Sequence, residues 1–295
     1  MLSNFSVEQS LMKAKSYAKK GKTLEAQKLY ETILQNFSNN IRAQQGLASL
    51  VKCQQSNAIQ SQPQEEVDLL VDLYYQGQFS NVIEKAKGLI EKYPGEFIFW
   101  NLLGIANLSL GQSQKATEAL KKVTELNPDY AVGFNNLGIA LRDQGKLEEA
   151  IEIFKKAVLI DPNYPETYNN LGNALQDQGY IDKAIETFKK SISLKPDYAL
   201  AHYNMGTALK DQGKLEQAVD AFKKSISLKP DNHETYNNMG NALQYQGKLD
   251  EAVDAYKKAL VAKPNDAVSY NNMGSALQYQ GKLEEAILGY KKSIS

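Results

Sequence analysis

The chain has 295 residues, 42% of them hydrophobic, and 34 basic residues balance 34 acidic ones. That balance lacks the basic excess of a nucleic-acid binder, and a single cysteine, Cys53, excludes an intramolecular disulfide or a cysteine zinc cluster. No apolar run approaches the roughly 18 residues of a membrane span, and the opening MLSNFSVEQSLMKAK has no signal-peptide core. The expectation is a soluble, cytoplasmic chain with neither nucleic-acid nor membrane partners.

Residues 7–40 carry helical spacing around Ala14, Tyr17, Gly21, Ala26 and Tyr30, and 41–52 continue it through Leu47 and Ala48. The stretch QQSNAIQSQPQ (54–64) is polar and Pro-terminated, and reads as a linker. The pattern restarts 22 residues after Ile41, at residue 63, with Gly77, Leu89 and Pro94 keeping its frame. This divides the chain into an N-terminal helical unit (1–53), a polar linker (54–63) and an array (64–295) of about seven units, the last incomplete.

From residue 97 the period is 34. Gly111, Gly145, Gly179, Gly213, Gly247 and Gly281 form one series, and Gly104, Gly138, Gly172, Gly206, Gly240 and Gly274 another. Alanines from Ala116 to Ala286 and prolines from Pro128 to Pro264 keep the same step. Position 1 is set at Phe97, Ala131, Pro165, Ala199, His233 and Ala267. Each unit then holds two helices. In the unit from Pro165, the first is apolar or small at Tyr168, Leu171, Gly172, Ala174 and Leu175; Gly179 ends it. The second turns Ile181, Ala184, Ile185, Phe188 and Ile192 inward until proline at position 32 stops it. Asp129, Asn163, Asp197, Asp231 and Asn265 are placed to cap the next helix. Glycine at position 8 costs roughly 1 kcal/mol mid-helix, which predicts a neighbouring helix backbone passing close by.

The aromatic at position 4 (Trp100, Phe134, Tyr168, Tyr236, Tyr270), Leu or Met then Gly at 7–8, Ala at 20, an aromatic at 24 (Phe154, Phe188, Phe222, Tyr256, Tyr290) and Pro at 32 resemble the tetratricopeptide repeat family. The resemblance implies an all-α fold: a right-handed superhelical solenoid of antiparallel helix pairs, first helices lining a concave groove.

On a helical wheel, positions 5, 6, 9 and 13 of the first helix point away from its partner. They carry Asn135, Asn169, Asn237 and Asn271 at 5; Asn136, Asn170, Asn204, Asn238 and Asn272 at 6; Asn173 and Asn241 at 9; and Asp143, Asp177, Asp211, Tyr245 and Tyr279 at 13. A carboxamide offers one acceptor and two donors, which matches an extended peptide's backbone whatever its side chains. The other reading is that the paired asparagines satisfy groups between repeats or face water. The asparagine ladder is similar to that of O-linked N-acetylglucosamine transferases, where such residues hold peptide substrates; that resemblance extends to the position-6 residues and less firmly to the position-13 acids. Lys and Arg are missing from positions 5 and 9 of 97–295, which discounts a clamp for a C-terminal carboxylate.

Paired lysines on each second helix read as a solvated convex face, with i,i+4 pairs Glu118–Lys122, Glu152–Lys156, Glu186–Lys190, Asp220–Lys224 and Asp254–Lys258. His202, at position 4, reads as a core residue. No phosphate loop, dinucleotide fingerprint or catalytic signature appears, so neither enzyme chemistry, nor a cofactor, nor a metal is expected. The chain ends at SIS without a capping element, which reads as a fragment or as an end that packs on another chain. The function expected is a scaffold binding an extended peptide or partner protein in its groove. The alternatives are a recognition arm of a larger glycosyltransferase or other enzyme, and a scaffold that self-associates through its uncapped C-terminal end.

Overall fold

A computed structural model describes residues 4–19, 22–36 and 40–294, and among these every regular element is an α-helix. The chain forms two compact units, residues 1–77 and 78–295. The first contains α1 (Asn4–Lys19), α2 (Thr23–Asn36) and α3 (Ile41–Tyr75). Val7, Leu11, Ala14, Ala26, Tyr30, Ile33, Ala43 and Leu50 form its core, with Tyr17 packed against them. Asn40 caps α3, its side chain accepting from the Ala43 amide at 3.0 Å.

α3 corrects the linker reading: its backbone is helical straight through 54–64. Glutamine is a good helix former, and the stretch contains no glycine, so its polarity does not amount to a loop signal. The unit boundary falls at Gly77 rather than near Cys53. Gly21 and the side chains of Cys53 and the 54–63 stretch lie outside the described residues.

In the second unit α4 (Phe79–Lys92) precedes six helix pairs: α5 (Phe97–Ser109) with α6 (Ser113–Leu126), α7 (Ala131–Arg142) with α8 (Leu147–Ile160), α9 (Pro165–Asp177) with α10 (Ile181–Leu194), α11 (Ala199–Asp211) with α12 (Leu215–Leu228), α13 (His233–Tyr245) with α14 (Leu249–Ala262), and α15 (Ala267–Tyr279) with α16 (Leu283–Ser293). Each first helix ends as its glycine predicts. At Gly179 (φ 85°) the Tyr180 amide donates to Leu175 O at 2.8 Å and the Gly179 amide to Gln176 O at 2.9 Å. This is the paired bonding of a left-handed helix stop, which glycine adopts without a Cβ penalty.

The N-terminal caps differ from expectation. The capping residue is position 34, one beyond the predicted Asp or Asn. Tyr130, Tyr164 and Tyr198 occupy it without a side-chain bond, whereas Asn232 and Asp266 accept from the Thr235 and Ser269 amides. Only the latter two have a short oxygen-bearing side chain at the position where a cap can reach.

Ala116, Ala150, Ala184, Ala218 and Ala252 are fully buried, as are Phe154, Phe188, Phe222 and Tyr256. Burying such a ring stabilises by about 1.5–3 kcal/mol, so every repeat brings its own anchor. The position-8 glycines face these rings, not a backbone. A Cβ on Gly138 or Gly172 would lie 2.5 Å from Cε1 of Phe154 or Phe188. At Gly104 the obstruction is the Leu120 side chain; at Gly274 a backbone atom, Ala286 O, is also close, at 3.2 Å.

Within the array each helix packs on its chain neighbours. First helices also approach the first helix one repeat on, α5 to α7 through α13 to α15, while no second helix approaches the next second helix among the described residues. Unequal approach on the two sides curves the stack, with first helices inside.

Polar side chains stitch the stack. Position-14 glutamines reach back to the preceding second helix: Gln178 to Glu148 (2.7 Å), Gln280 to Asp250 (2.9 Å), and Gln212 to Asp182. The polar tip at position 4 bonds the carbonyl of the preceding proline, from Trp100 to Pro94 (3.3 Å) and Tyr168 to Pro162 (3.2 Å). His202 fits this pattern, buried with Nε2 3.0 Å from Pro196 O. On the convex face, three acids pair with the first lysine of a doublet rather than the second, Glu152–Lys155 (2.7 Å), Glu186–Lys189 (2.8 Å) and Asp254–Lys257 (4.0 Å), while Lys122, the second of its doublet, pairs forward with Glu125 (2.6 Å). Residues three apart share a helix face as those four apart do, and these exposed side chains take the nearer partner.

Candidate functional site: the concave face

The two asparagine columns do different work. Asn101, Asn135, Asn169 and Asn237 at position 5 are buried, and the position-6 residues Asn136, Asn170, Asn204, Asn238 and Asn272 are half-buried. From Asn136 to Asn204 the position-6 amide donates to the position-5 residue one repeat earlier: Asn136 Nδ2 to Asn101 Oδ1 (3.1 Å), Asn170 to Asn135 (3.0 Å) and Asn204 to Asn169 (2.9 Å). Tyr203 replaces asparagine at position 5, and its hydroxyl accepts from Asn238 Nδ2 at 2.9 Å. The wheel places both columns toward the groove, but the neighbouring first helix occupies one flank of that arc. Asn135, Asn169 and Asn237 thereby leave the exposed groove surface.

Position 6 keeps spare capacity. One N–H of Asn136, Asn204 and Asn238 is held by the ladder, and their Oδ1 atoms make no hydrogen bond among the described residues. The ladder changes at its end. Asn237 gives its amide to Ser269 Oγ (2.6 Å) and Asp266 Oδ2 (3.3 Å), which leaves its buried Oδ1 without a partner. Asn272 makes no bond to it, and Asn271 is exposed. Asp266 is 6% exposed. Burial alone raises its pKa, but the Ser269 hydroxyl and amide and the Lys263 ammonium, 2.9 Å away, outweigh that and hold it at about 2.

Position 13 is the open column. Asp143, Asp177 and Asp211 are exposed, and so are Tyr245 (74%) and Tyr279 (73%). Cross-repeat contacts orient two of the acids: Arg142 Nε bonds Asp177 at 2.6 Å and Gln176 Nε2 bonds Asp211 at 2.9 Å. Position 12 of one repeat therefore faces position 13 of the next. At position 9, Asn173 and Asn241 are half-buried.

One group of residues read only as core reaches this face. Tyr256 is fully buried where three earlier repeats have phenylalanine. Its hydroxyl lies 2.7 Å from Asn241 Oδ1 and 3.0 Å from Gln244 Oε1. Burial, reinforced by nearby Tyr245, pushes its pKa well above the usual tyrosine range. Tyr290 repeats the contact, its hydroxyl 2.8 Å from Gln278 Oε1. The change from Phe to Tyr in the position-24 column is the sequence signal, because a buried tyrosine hydroxyl needs a partner. Position 34 contributes a second tyrosine column. Tyr198 is pushed up to about 12 by burial, with Glu166 and Tyr164 adding to it. Lys195 closes that side, 3.2 Å from Glu166 and 4.9 Å over the Tyr198 ring.

A surface cavity of about 500 Å³ lies elsewhere, between α8 and α10 over Leu171 and Leu175. A smaller counterpart over Leu137 and Leu141 lies one repeat earlier. Depressions that recur with the packing period follow from the outward splay of the second helices. No helix among the described residues is long and apolar enough to cross a membrane, and no His, Cys, Asp and Glu grouping among them is placed to hold a metal ion.

Comparison with known proteins agrees with this architecture. Models described as TPR repeat match residues 139–179, 177–213 and 206–247, and tetratricopeptide repeat models match 10–40, 98–130, 119–152, 233–266 and 255–287. A search of curated proteins finds no match. Among solved structures, a crystal structure of MamA is 32% identical over 54% of this chain and 92% of its own, with a TM-score of 0.51. Two others share the fold. The Cut9–Hcn1 structure aligns with 97% of this chain at 17% identity and TM-score 0.65, this chain spanning about half (52%) of its partner in the alignment. YrrB, described as a TPR protein with an unusual peptide-binding site, is 24% identical over 60% of this chain and 92% of its own, TM-score 0.51. With helix pairs at a fixed step, an aromatic anchor in each from the second pair on and family matches along both units, the chain belongs to the tetratricopeptide repeat family.

Proposed function

We propose that this chain is a protein-interaction scaffold that binds an extended peptide segment along the concave face of 97–295. The observation that carries the reading is the half-pinned position-6 carboxamide. Asn136, Asn204 and Asn238 each have one N–H fixed by the neighbouring repeat and a carbonyl oxygen left unclaimed. A pre-oriented acceptor loses little freedom when it takes a peptide N–H. Rungs about a helix diameter apart, roughly 10 Å, each meet about three residues of a peptide advancing about 3.3 Å per residue. The exposed acids Asp143, Asp177 and Asp211 favour Lys, Arg or hydroxyl side chains over the first part of the groove. A recognition arm of a glycosyltransferase would use the same carbonyls, with catalysis supplied by a further domain.

The test is capture of a positional-scanning library of labelled dodecapeptides by the wild type and by a triple variant, Asn170→Ala, Asn204→Ala and Asn238→Ala. Capture falls in the variant if the reading holds; unchanged capture with helical circular dichroism intact sinks it. Should the triple variant unfold, Asn204→Ala alone carries the comparison.

A further inference from the structure

The last two complete first helices differ from the others in a coordinated way. α13 and α15 end in exposed Tyr245 and Tyr279 at position 13, where the three preceding repeats carry Asp143, Asp177 and Asp211. Their repeats also exchange phenylalanine for Tyr256 and Tyr290 at position 24. The Tyr256 hydroxyl donates its one proton to Asn241 Oδ1, with Gln244 Oε1 3.0 Å away, and the Tyr290 hydroxyl donates to Gln278 Oε1. These contacts use the carbonyl ends of Asn241 and Gln278 and leave their N–H groups uncommitted among the described residues, while Gln244 spends one N–H on Ser275 Oγ at 3.2 Å. At this end position 13 offers aromatic faces in place of carboxylates, beside the unclaimed N–H groups of Asn241 and Gln278.

Geometry selects the ligand. The two tyrosines stand one rung apart, roughly 10 Å. An extended strand covers that distance in three residues, but residues three apart in a strand point to opposite faces. A polyproline II helix has three residues per turn and rises about 3.1 Å per residue, so residues three apart lie on one face about 9.3 Å apart. It also leaves its carbonyl groups unbonded, and its prolines have no N–H to offer. A donor-rich wall with two aromatic platforms at that pitch complements it. We propose that the Tyr245–Tyr279 end of the groove docks a proline-rich polyproline II segment of a partner protein. The proposal rests on the concave face being the binding surface.

Fluorescence anisotropy with four labelled dodecapeptides tests it: all-proline, two prolines three apart in an Ala/Gln background, two prolines two apart, and a proline-free Ala/Gln peptide. The first two bind more tightly than the third. The double variant Tyr245→Ala, Tyr279→Ala weakens them by at least about tenfold. Both side chains are exposed, so this variant keeps its fold. Tyr256→Phe, which frees Asn241 and Gln244 to rotate, weakens them about threefold. Equal affinity at the two spacings, or no loss in the double variant, overturns the proposal. Proline-free binding with silent proline peptides overturns it and leaves the groove reading standing. Silence of all four overturns both.

Discussion

The bond between Asn204 and Asn169 gives a direct test of whether the ladder holds repeats together. Asn204 Nδ2 donates to Asn169 Oδ1 at 2.9 Å, from a half-buried residue to one that is 1% exposed. Asn204→Ala leaves the Asn169 oxygen buried without its donor, which costs about 1–3 kcal/mol. Asn169→Ala removes a fully buried side chain and the acceptor together. It leaves the Asn204 amide half-exposed, free to find water, and its cost of about 2 kcal/mol is mostly lost packing. The pair should therefore be non-additive. The double variant is expected to be more stable than the sum of the singles by about 1 kcal/mol, the net worth of one neutral hydrogen bond.

Urea denaturation of the four proteins of this cycle measures the coupling. Long arrays can unfold in stages, so hydrogen exchange at α9 and α11 amides should accompany it. Protection should fall at both helices in either single variant. Additivity within about 0.3 kcal/mol would falsify the claim that this contact couples adjacent repeats.

Gly172→Ala puts a Cβ 2.5 Å from Phe188; the overpacking, about 1–3 kcal/mol, exceeds the roughly 1 kcal/mol gain in helix propensity, so thermal melting should occur at lower temperature. Asp266 is held at about 2 in the fold; because this is depressed from the ordinary carboxylate value near 3.9, its contribution is fully present above about pH 4 and is lost as pH falls toward 2. That contribution is at most about 2–3 kcal/mol; Ser269→Ala should raise the carboxyl's pKa, read by NMR titration, and flatten the acid loss of stability. Arg142→Ala breaks a 2.6 Å pair whose side chains are a third or more exposed, so the stability change should stay under about 1 kcal/mol and shrink further in high salt.

The fold was legible because four residue series repeat one step, and their positions have direct physical meaning. A glycine that must take φ 85° at Gly179, an alanine with no room for more at Ala184 and a ring buried at Phe188 each fix a local geometry. The site was only half legible. A wheel treats a helix as having one partner, whereas α9 has four: α10, its own second helix; α8 before it; and the first helices α7 and α11 on either side. Asn169 therefore points correctly away from α10 yet ends 1% exposed. The linker reading erred differently, by taking the polarity of 54–64 for a loop signal although α3 runs through it. Gln178 and Tyr256 were missed because their partners, Glu148 and Asn241, are set by stacking and not by spacing along one helix.

The columns also separate by how they vary along the array. Position 6 is asparagine in all five repeats from Ala131, including the one where Tyr203 supplies the acceptor. A residue held constant while its partner changes chemistry is constrained by the stacking contact itself. Position 13 instead runs Asp143, Asp177, Asp211, Tyr245, Tyr279, and position 24 changes from Phe to Tyr over the same boundary. Over that boundary the position-24 hydroxyl of Tyr256 meets Asn241 at position 9 and Gln244 at position 12, the neighbour of Tyr245. From Asn136 to Asn238 the constant column joins adjacent repeats. On the proposed reading the free carbonyl oxygens of Asn136, Asn204 and Asn238 would meet a peptide backbone, and selectivity among partners would lie with the varying positions 9, 12 and 13 rather than with positions 5 and 6.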